Sequence, residues 1–497
     1  MGKMKETDVL IVGAGITGCS IARELAQYDL DVTVIEKEID VAMGISKTSG
    51  SLIYMGLLGA MSIVIKDLGH GIDPAKYTDT ERMRMLWEGF QLFDVRAHEL
   101  DVAHKHVGLM SIAWNEHHVE QLKRLEYIAK YVPGGTVRWV DREELFETEP
   151  NIARDAIVGL HDSTGTVSFF GPEYVIAVYE NARENGADFM LETECLGIEE
   201  KGGSMIVSTN NGQIKTRFLL NCAGKYADKV ADMAKARTGW NLLFYRSQAL
   251  VLDKKLEGII NNIVCIPPDA GKIDFLYPQE EGTIHVYGAY YDLIEDRDFM
   301  DTTRENYDDA IARMKKLVPS LSEDDIISSY VGVRVFNDKE LEENLIEYSP
   351  RNPNFINVLV RMPGFTPSPV IAQKVVGMLA DSGLDLKEKK DFNPTRKHIP
   401  RFRFLSEVER EELIANDHRY GRVVCRCETV TEGEIVEAIR RGAKTVQGVM
   451  FRARAGMGRC QRNWCGPKII EILSRELEIP CAEVTYKGRG FQFVPGK

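Results

Sequence analysis

The spacing of apolar and polar positions changes along the chain, and each change marks an element. Val9–Val12 is a short apolar run of strand type. A glycine-rich break follows, then a segment that places Ile21, Ala22, Leu25 and Ala26 on one helical face, and then a second apolar run, Val32–Ile35. Helical periodicity recurs over 80–101, 117–132 and 172–185, with a short strand and a helix start within 139–149 and a turn at 162–167. Four strand-type runs follow at 187–191, 195–199, 205–209 and 213–221, and the last ends in Asn221-Cys222-Ala223-Gly224 before another helix. Residues 242–291 alternate with period two in antiparallel style and are rich in aromatic residues. A helix over 303–317, a strand over 329–335, and a strand, glycine turn and helix over 355–379 complete this part. Residues 385–422 are charged and contain proline, which reads as a linker. Two further helices are expected near 431–441 and 467–477, and no fixed-period repeat is present.

Chemistry enters first at Gly13-Ala14-Gly15-Ile16-Thr17-Gly18. Strand, tight glycine turn, helix, second strand and a terminal acid, Glu36, stand in the order of a dinucleotide-binding fingerprint. Gly13 allows the sharp turn, Gly15 lets backbone approach a pyrophosphate without a Cβ, and Gly18 lets helix and strand pack closely. The pyrophosphate would rest on unsatisfied N–H groups at the helix start, with Glu36 accepting from ribose hydroxyls. A glycine-rich turn that binds nothing would explain the glycines but not Glu36. A small polar loop, Gly44–Ser51, is of the kind that threads past a cofactor. No second GxGxxG follows, so the reductant is expected to be a bound organic substrate rather than a nicotinamide.

At 497 residues, two or three domains are expected. Hydrophobic residues at 44% and charged residues at 28% describe an ordinary soluble protein, and no apolar run reaches the length of a membrane span. Met1–Glu6 leads directly into the first strand, so no signal peptide is expected and the chain reads as cytoplasmic. The net charge of −13 is uneven, because residues 421–475 carry eleven Lys and Arg against five acids. That basic module could bind nucleic acid or offset a buried anionic cluster. No aromatic-interleaved basic stripe accompanies it, so nucleic acid is not expected.

The cysteines favour the buried cluster. Of nine, Cys19, Cys195, Cys222 and Cys265 sit in apolar or helical surroundings and Cys481 stands alone, while Cys425, Cys427, Cys460 and Cys465 form two tight pairs. Zinc ribbons prefer CxxC pairs. CxC followed by CxxxxC resembles instead the bacterioferritin-associated-ferredoxin type of 2Fe-2S domain, with structural zinc as the alternative. Gly456-Met457-Gly458-Arg459 is suited to supplying amides to such a cluster.

The strand-GAGITG-helix-Glu36 start, the NCAG turn and Pro363-Gly364-Phe365-Thr366 resemble flavin-dependent oxidoreductases of the D-amino-acid oxidase superfamily over roughly residues 6–382. The branch that looks nearest is the glycerol-3-phosphate dehydrogenase-like enzymes of anaerobic bacteria, which carry a C-terminal iron–sulfur module. The resemblance implies an α/β fold: a Rossmann-like FAD-binding domain, an antiparallel-sheet substrate domain and a small helical C-terminal 2Fe-2S domain. The expected divisions are 1–384 for the oxidoreductase, with FAD-binding segments about 6–80, 150–235 and 330–384 and substrate segments about 81–149 and 236–329. They continue with a linker at 385–420, the 2Fe-2S domain at 421–475 and a tail at 476–497. The implied activity is FAD-dependent oxidation of a small anionic hydroxy compound, glycerol 3-phosphate or a 2-hydroxy acid. Electrons would leave through a 2Fe-2S cluster to a second flavoprotein, an iron–sulfur subunit or an electron-carrier protein, which could hold the chain at the membrane periphery. An electron-transfer or structural flavoprotein subunit, or an amine or N-methyl amino acid dehydrogenase, is the alternative.

Residue by residue, the resemblance implies that Gly13, Gly15, Ile16, Thr17 and Gly18 hold the pyrophosphate and that Glu36 and Lys37 meet the adenosine ribose. Ser46, Lys47, Thr48 and Ser49 would run beside the flavin, the Cys195 backbone would touch adenine, and Ala223 and Gly224 would support the pyrophosphate side. Gly364, Phe365 and Thr366 would direct amides at the flavin pyrimidine edge, where negative charge develops on reduction. Cys425, Cys427, Cys460 and Cys465 would ligate the cluster. Arg334 matches an arginine beside the substrate, with a structural ion pair as the other reading, and Arg246 and Arg361 could join it around an anion. Relatives commonly carry a histidine where this chain has Tyr54. A histidine suits removal of an alcohol proton near neutral pH, whereas a phenol does so only if strongly perturbed. Tyr54 is therefore either the base or a ring packed beside the flavin.

Overall fold

The computed structural model describes residues 4–64, 78–269, 272–339 and 343–493. Residues 65–77 of the expected first FAD-binding segment and 494–497 of the tail lie outside them. The first sheet has eight strands and is centred on Lys5–Val12, whose last four residues are buried. That strand runs parallel to both Val32–Ile35 and Gly212–Asn221. Asp188–Met190 extends one side in parallel, and Phe355–Leu359 pairs in parallel with Gly212–Asn221. Cys195–Lys201 and Ser204–Thr209 form an antiparallel meander leading into Gly212–Asn221. Helix Ile16–Leu25 packs against Gly171–Glu184 and Ser368–Asp381, and Ile21, Ala22, Val175, Ile371 and Val375 close the core between them. Continuous apolar runs suit strands of a parallel sheet covered by helices.

A second eight-stranded sheet runs in the order Ile326–Asn337, Leu242–Leu252, Ile284–Ile294, Lys272–Pro278, Ile263–Asp269, Leu109–Ala113, Val158–Asp162, Arg138–Val140. Neighbours are antiparallel except Ile263–Asp269 beside Leu109–Ala113. Successive side chains point to opposite faces, so the sheet buries two cores. Leu109, Ile263, Cys265 and Phe275 meet helix Glu116–Ala129, whereas Met110, Val264, Leu276 and Val286 meet helix Arg304–Leu317. Val158–Asp162 belongs to this sheet although the sequence grouped it with the FAD-binding segments. Helix Glu81–Glu99, grouped on the sequence with the substrate domain, straddles both units: Met85, Phe93 and Ala97 face one core, Met83 and Leu86 the other. A small sheet, Leu52–Tyr54, Thr166–Phe169 and His104–His106, joins them.

Residues 385–401, read on the sequence as linker, are a packed strap. Asn181 donates to the carbonyls of Asn393 and Thr395, and Arg396 meets Glu180 at 2.7 Å with both side chains almost fully buried. Ile399 lies in the core. Only then does an exposed helix, Glu407–Asn416, appear, its start fixed by the Ser406–Glu409 capping box. The cysteine module, with the hairpin Val423–Cys425 and Val430–Thr431, has helices Glu432–Arg440, Val446–Ala453 and Gly466–Leu477. Val424, Ile435, Val449 and Leu473 are continuous with the core of the first sheet, so the module is fused to the body. The tail folds back, with the Gln447 amide donating to Tyr486 O at 2.9 Å.

Candidate active site

The three glycines of the first turn are required for three different reasons. Gly13 has φ +107°, and a Cβ there would lie 2.5 Å from the Cys222 carbonyl oxygen. A Cβ on Gly18 would sit 2.0 Å from the Gly13 carbonyl oxygen, so helix and turn could not close. Gly15 is different: its Cβ would meet only Ser46 Oγ, at 3.3 Å, and otherwise enter open space. The helix it starts has no cap from its own N-cap side chain and no acid in its first turn; the Ile16 amide donates to Ser46 Oγ at 3.1 Å, which leaves the Thr17 amide and the helix dipole to an anion. Glu36 is half-buried and accepts from the Ala14 and Glu38 amides at 2.8 and 3.0 Å, leaving each oxygen a further lone pair. Burial pushes its carboxyl above the ordinary value, against the pull of those two amides.

A cavity of about 1130 Å³ opens from this turn. It exceeds the roughly 300–1,000 Å³ of an ordinary small-ligand site. Its wall includes Gly13, Gly15, Ile16, Thr17, Glu36, Lys37, Ser46, Lys47, Thr48, Ser49, Cys195, Ala223, Gly224, Gly364 and Phe365, together with Tyr54 and Arg334. Four of the residues expected around flavin and substrate lie outside that wall. Gly18 is packed beneath Gly13. Thr366 is buried, its hydroxyl accepting from the Tyr54 amide at 3.3 Å. Arg361 covers the Phe336 ring at 4.9 Å, and Arg246 covers Phe299 at 5.1 Å while donating to Asp301 O. Arg361 still acts on the site electrostatically: with Arg82 and Arg334 it pulls the Tyr54 phenol down, but burial wins and the phenol stands above its ordinary value. Arg82, which the sequence reading missed, is buried and donates to Met362 O at 2.9 Å.

Over the far end of the cavity lies one face of the antiparallel sheet. Arg334 donates from Nη2 to Thr48 O at 3.0 Å and to the Tyr287 hydroxyl at 2.7 Å, and Tyr287 donates to Ser247 Oγ. Gly332 is needed beside it, since a Cβ there would fall 2.8 Å from Thr48 Oγ1. His285 also lines the cavity, its Nδ1 within 3.2 Å of the Tyr277 hydroxyl and 3.3 Å of the Tyr330 hydroxyl. Burial pushes this imidazole down to about 4, which keeps it neutral at pH 7. The sequence reading passed over His285, although period two places it with Tyr287 on one face of their strand, as it does Tyr330 with Arg334.

The C-terminal module closes the cavity. Gln447, Met450, Arg454, Met457, Gln461 and Arg462 line it, as do Tyr486 and Lys487 of the tail. The four cysteines are not in the wall itself, but Cys460 adjoins Gln461 in the chain and Cys427 packs against the same core as Met457. Their thiols pair, Cys425 with Cys465 and Cys427 with Cys460, and none forms a disulfide. No three of these sulfurs fall within 4.8 Å of one another. Four thiolates on one zinc at about 2.3 Å would crowd closer than that. Two pairs suit a two-metal cluster. The Gly456 amide points at Cys425 Sγ at 3.4 Å, and a Cβ on Gly458 would lie 2.5 Å from Cys427 Cβ, so the loop is shaped to wrap the sulfurs with backbone.

A Rossmann-type cradle, a roofing antiparallel sheet and a paired-thiolate module define a flavin- and iron–sulfur-binding oxidoreductase. The chain belongs to the FAD dependent oxidoreductase family, whose model matches residues 8–378, and a BFD-like 2Fe-2S binding domain matches residues 423–475. It is 34% identical over 496 residues to a glycerol 3-phosphate dehydrogenase of Caloramator mitchellensis, covering 98% of each chain. It is 24% identical to an anaerobic glycerol-3-phosphate dehydrogenase subunit A1 of Haloferax volcanii, covering 95% of this chain and 84% of that one. Among solved structures, L-alpha-glycerophosphate oxidase from Mycoplasma pneumoniae with FAD bound shares the fold, with a TM-score of 0.69 and 24% identity over 79% of this chain and 99% of that one. Among the described residues, no helix is long and apolar enough to cross a membrane.

Proposed function

We propose that the chain oxidises glycerol 3-phosphate at its secondary hydroxyl and delivers the electrons to a partner protein. The observation that carries this reading is the continuity of one cavity, from the glycine turn past Arg334 and His285 to Met457 and Gln461 beside the cysteines. The full-length likeness to a glycerol 3-phosphate dehydrogenase supports the substrate.

FAD in this cavity supplies a two-electron hydride acceptor, and a 2Fe-2S cluster on the four thiolates supplies a one-electron relay. Gly13, Gly15 and Thr17 would hold the pyrophosphate, Glu36 the ribose, and Gly364 and Phe365 the ring edge. The protein's own residues do the rest. Arg334 offers the phosphate a planar charged fork, held in place by Thr48 O and Tyr287. His285, neutral and free at Nε2 of any described partner, takes the proton of the substrate hydroxyl while its Nδ1–H is held by Tyr277 or Tyr330. Tyr54, with its phenol raised by burial, serves as wall rather than base. The buried surroundings exclude water from the reacting end.

The domain limits follow the same reading: an oxidoreductase body to about 384, a strap, and the cluster module from about 421, placed in the cytoplasm. The partner is an electron-accepting protein or subunit. Anaerobic addition of sn-glycerol 3-phosphate to the purified holoprotein tests the substrate: loss of flavin absorbance supports it. Reduction only by a 2-hydroxy acid or an amine would replace it.

A further inference from the structure

We propose that Asp94, His104 and His106 form a surface binding site for a divalent transition-metal ion of the zinc class, separate from the thiolates. Asp94 comes from helix Glu81–Glu99, and the histidines stand two residues apart on strand His104–His106, hence on one face of it. Asp94 Oδ1 lies 3.0 Å from His106 Nε2 and 3.6 Å from His104 Nε2, and all three ligand atoms lie within 4.8 Å of one another. Bonds of about 2.0–2.2 Å from nitrogen and oxygen to a tetrahedral zinc set the ligand atoms roughly 3.3–3.6 Å apart, a spacing close to the two Asp94 edges of that triangle.

His104 is held in one tautomer. Its Nδ1 meets the Val102 carbonyl at 3.1 Å, and a carbonyl can only accept, so Nδ1 carries the proton. The Nε2 lone pair of the neutral ring then faces a carboxylate oxygen 3.6 Å away. Two acceptor atoms at this distance, with His106 Nε2 3.0 Å from the same oxygen, make a cluster of ligand atoms that a metal ion can bridge. A backbone carbonyl holding the far nitrogen is the arrangement that orients metal-bound imidazoles. The Phe93 ring, edge-on at 5.6 Å, fixes the plane of His104. Two imidazoles and one carboxylate favour zinc, cobalt or nickel over magnesium or calcium. With the Asp94 and His106 side chains 56% and 51% exposed, water completes the shell.

An ion here would pin helix Glu81–Glu99 to one edge of the small sheet whose other edge carries Tyr54. The same helix is pressed to the turn that carries Gly364 and Phe365, through Gly89, where a Cβ would lie 2.0 Å from Thr366 O, and through Arg82, which donates to Met362 O. The ion is thus a clamp on that turn, not a reactant.

The test uses protein loaded with FAD and cluster, freed of loose metal by a chelating resin, and titrated with Co²⁺ by absorbance and with Zn²⁺ by calorimetry. The expected result is one saturable equivalent in the micromolar range without thiolate-to-cobalt charge-transfer bands. Affinity should fall at least about tenfold in both His106→Ala and Asp94→Asn, and a rise in Tm with Zn²⁺ should be seen in the parent only. Three results would each overturn the site: no saturable equivalent, affinity unchanged in both variants, or a thiolate-type cobalt spectrum. The histidine–aspartate group would then be a hydrogen-bonded surface cluster.

Discussion

Arg454 donates from Nη2 to Glu281 Oε1 at 2.7 Å, joining the cysteine module to the antiparallel sheet across the wall of the cavity. Both side chains are buried, and the Arg454 charge holds the Glu281 carboxyl below its ordinary value despite that burial. Arg454 also covers the Phe170 ring at 5.1 Å and lies 3.8 Å from Glu428. With Arg452–Asp40 and Arg459–Asp253 it fixes the cysteine module against the body that carries the glycine turn.

Breaking that joint should separate the two halves of the reaction. Arg454→Met leaves Glu281 without its cation, while Glu428 keeps Arg403 and Lys254, and removing one partner of a buried pair costs about 3–5 kcal/mol. The expected outcome is a lower Tm, faster proteolysis within 385–422, unchanged FAD content and slower electron arrival at the cluster in stopped-flow traces. Glu281→Gln should show the same pattern more mildly.

The glycine turn separates folding from binding. Gly15→Val directs its side chain into open cavity, so the protein should fold with a native circular dichroism spectrum yet retain no flavin after gel filtration. Gly18→Ala meets the Gly13 carbonyl oxygen and should instead yield little folded protein.

His285 and Arg334 are assigned different tasks, and rapid kinetics distinguishes them. His285→Gln should slow flavin reduction by roughly 10²–10⁴-fold, the usual worth of a general base, with substrate affinity largely kept. Arg334→Ala should weaken substrate binding, since losing a buried charge-assisted contact costs roughly 2–5 kcal/mol. Tyr54→Phe should change the reduction rate by less than about threefold. A large loss there would return the base to Tyr54.

Cys427→Ser should remove most of the iron and sulfide while flavin and its reduction by substrate persist, because the cluster ligands touch no part of the glycine cradle. Metal analysis of the parent should give about two irons per chain.

Acid should destabilise the fold through two buried histidines. Burial pushes both His285 and His398 down to about 4, so the unfolded chain binds their protons first as pH falls. Stability should therefore be full above an unfolded value of about 6.5 and decline as pH falls toward 4. His398 stands 3.4 Å from Glu173 as a neutral ring, because burial, helped by the nearby Arg401 and Arg396 charges, outweighs the pull of that carboxylate. His398→Gln should flatten the dependence of Tm on pH over that window.

Much of this architecture is legible in the sequence, and the illegible parts share a cause. The glycine turn and Glu36 are local, so strand, helix and acid declare themselves within thirty or so residues. The cysteine pairs are local too, and their spacing carries the ligand chemistry. What the sequence hides is assembled over distance. Arg396 and Ile399 sit in a stretch whose charge and proline content read as linker, yet Glu180 and Asn181 on a distant helix bury it. Arg246 and Arg361 looked like anion ligands because arginines are, but Phe299 and Phe336 occupy their guanidinium faces. His285 joins the site through strand register with Arg334, and register is set by pairing that no local pattern shows.

The central claim is that one chain carries electrons from an organic substrate through flavin to the cluster. Anaerobic mixing of the holoprotein with sn-glycerol 3-phosphate, followed by flavin absorbance and by electron paramagnetic resonance of the cluster, tests it most directly. Flavin absorbance should fall first and the reduced-cluster signal should then rise, with the second step missing in Cys427→Ser. Flavin that stays oxidised with glycerol 3-phosphate and with small anionic hydroxy acids, while dithionite reduces it fully, would contradict the account.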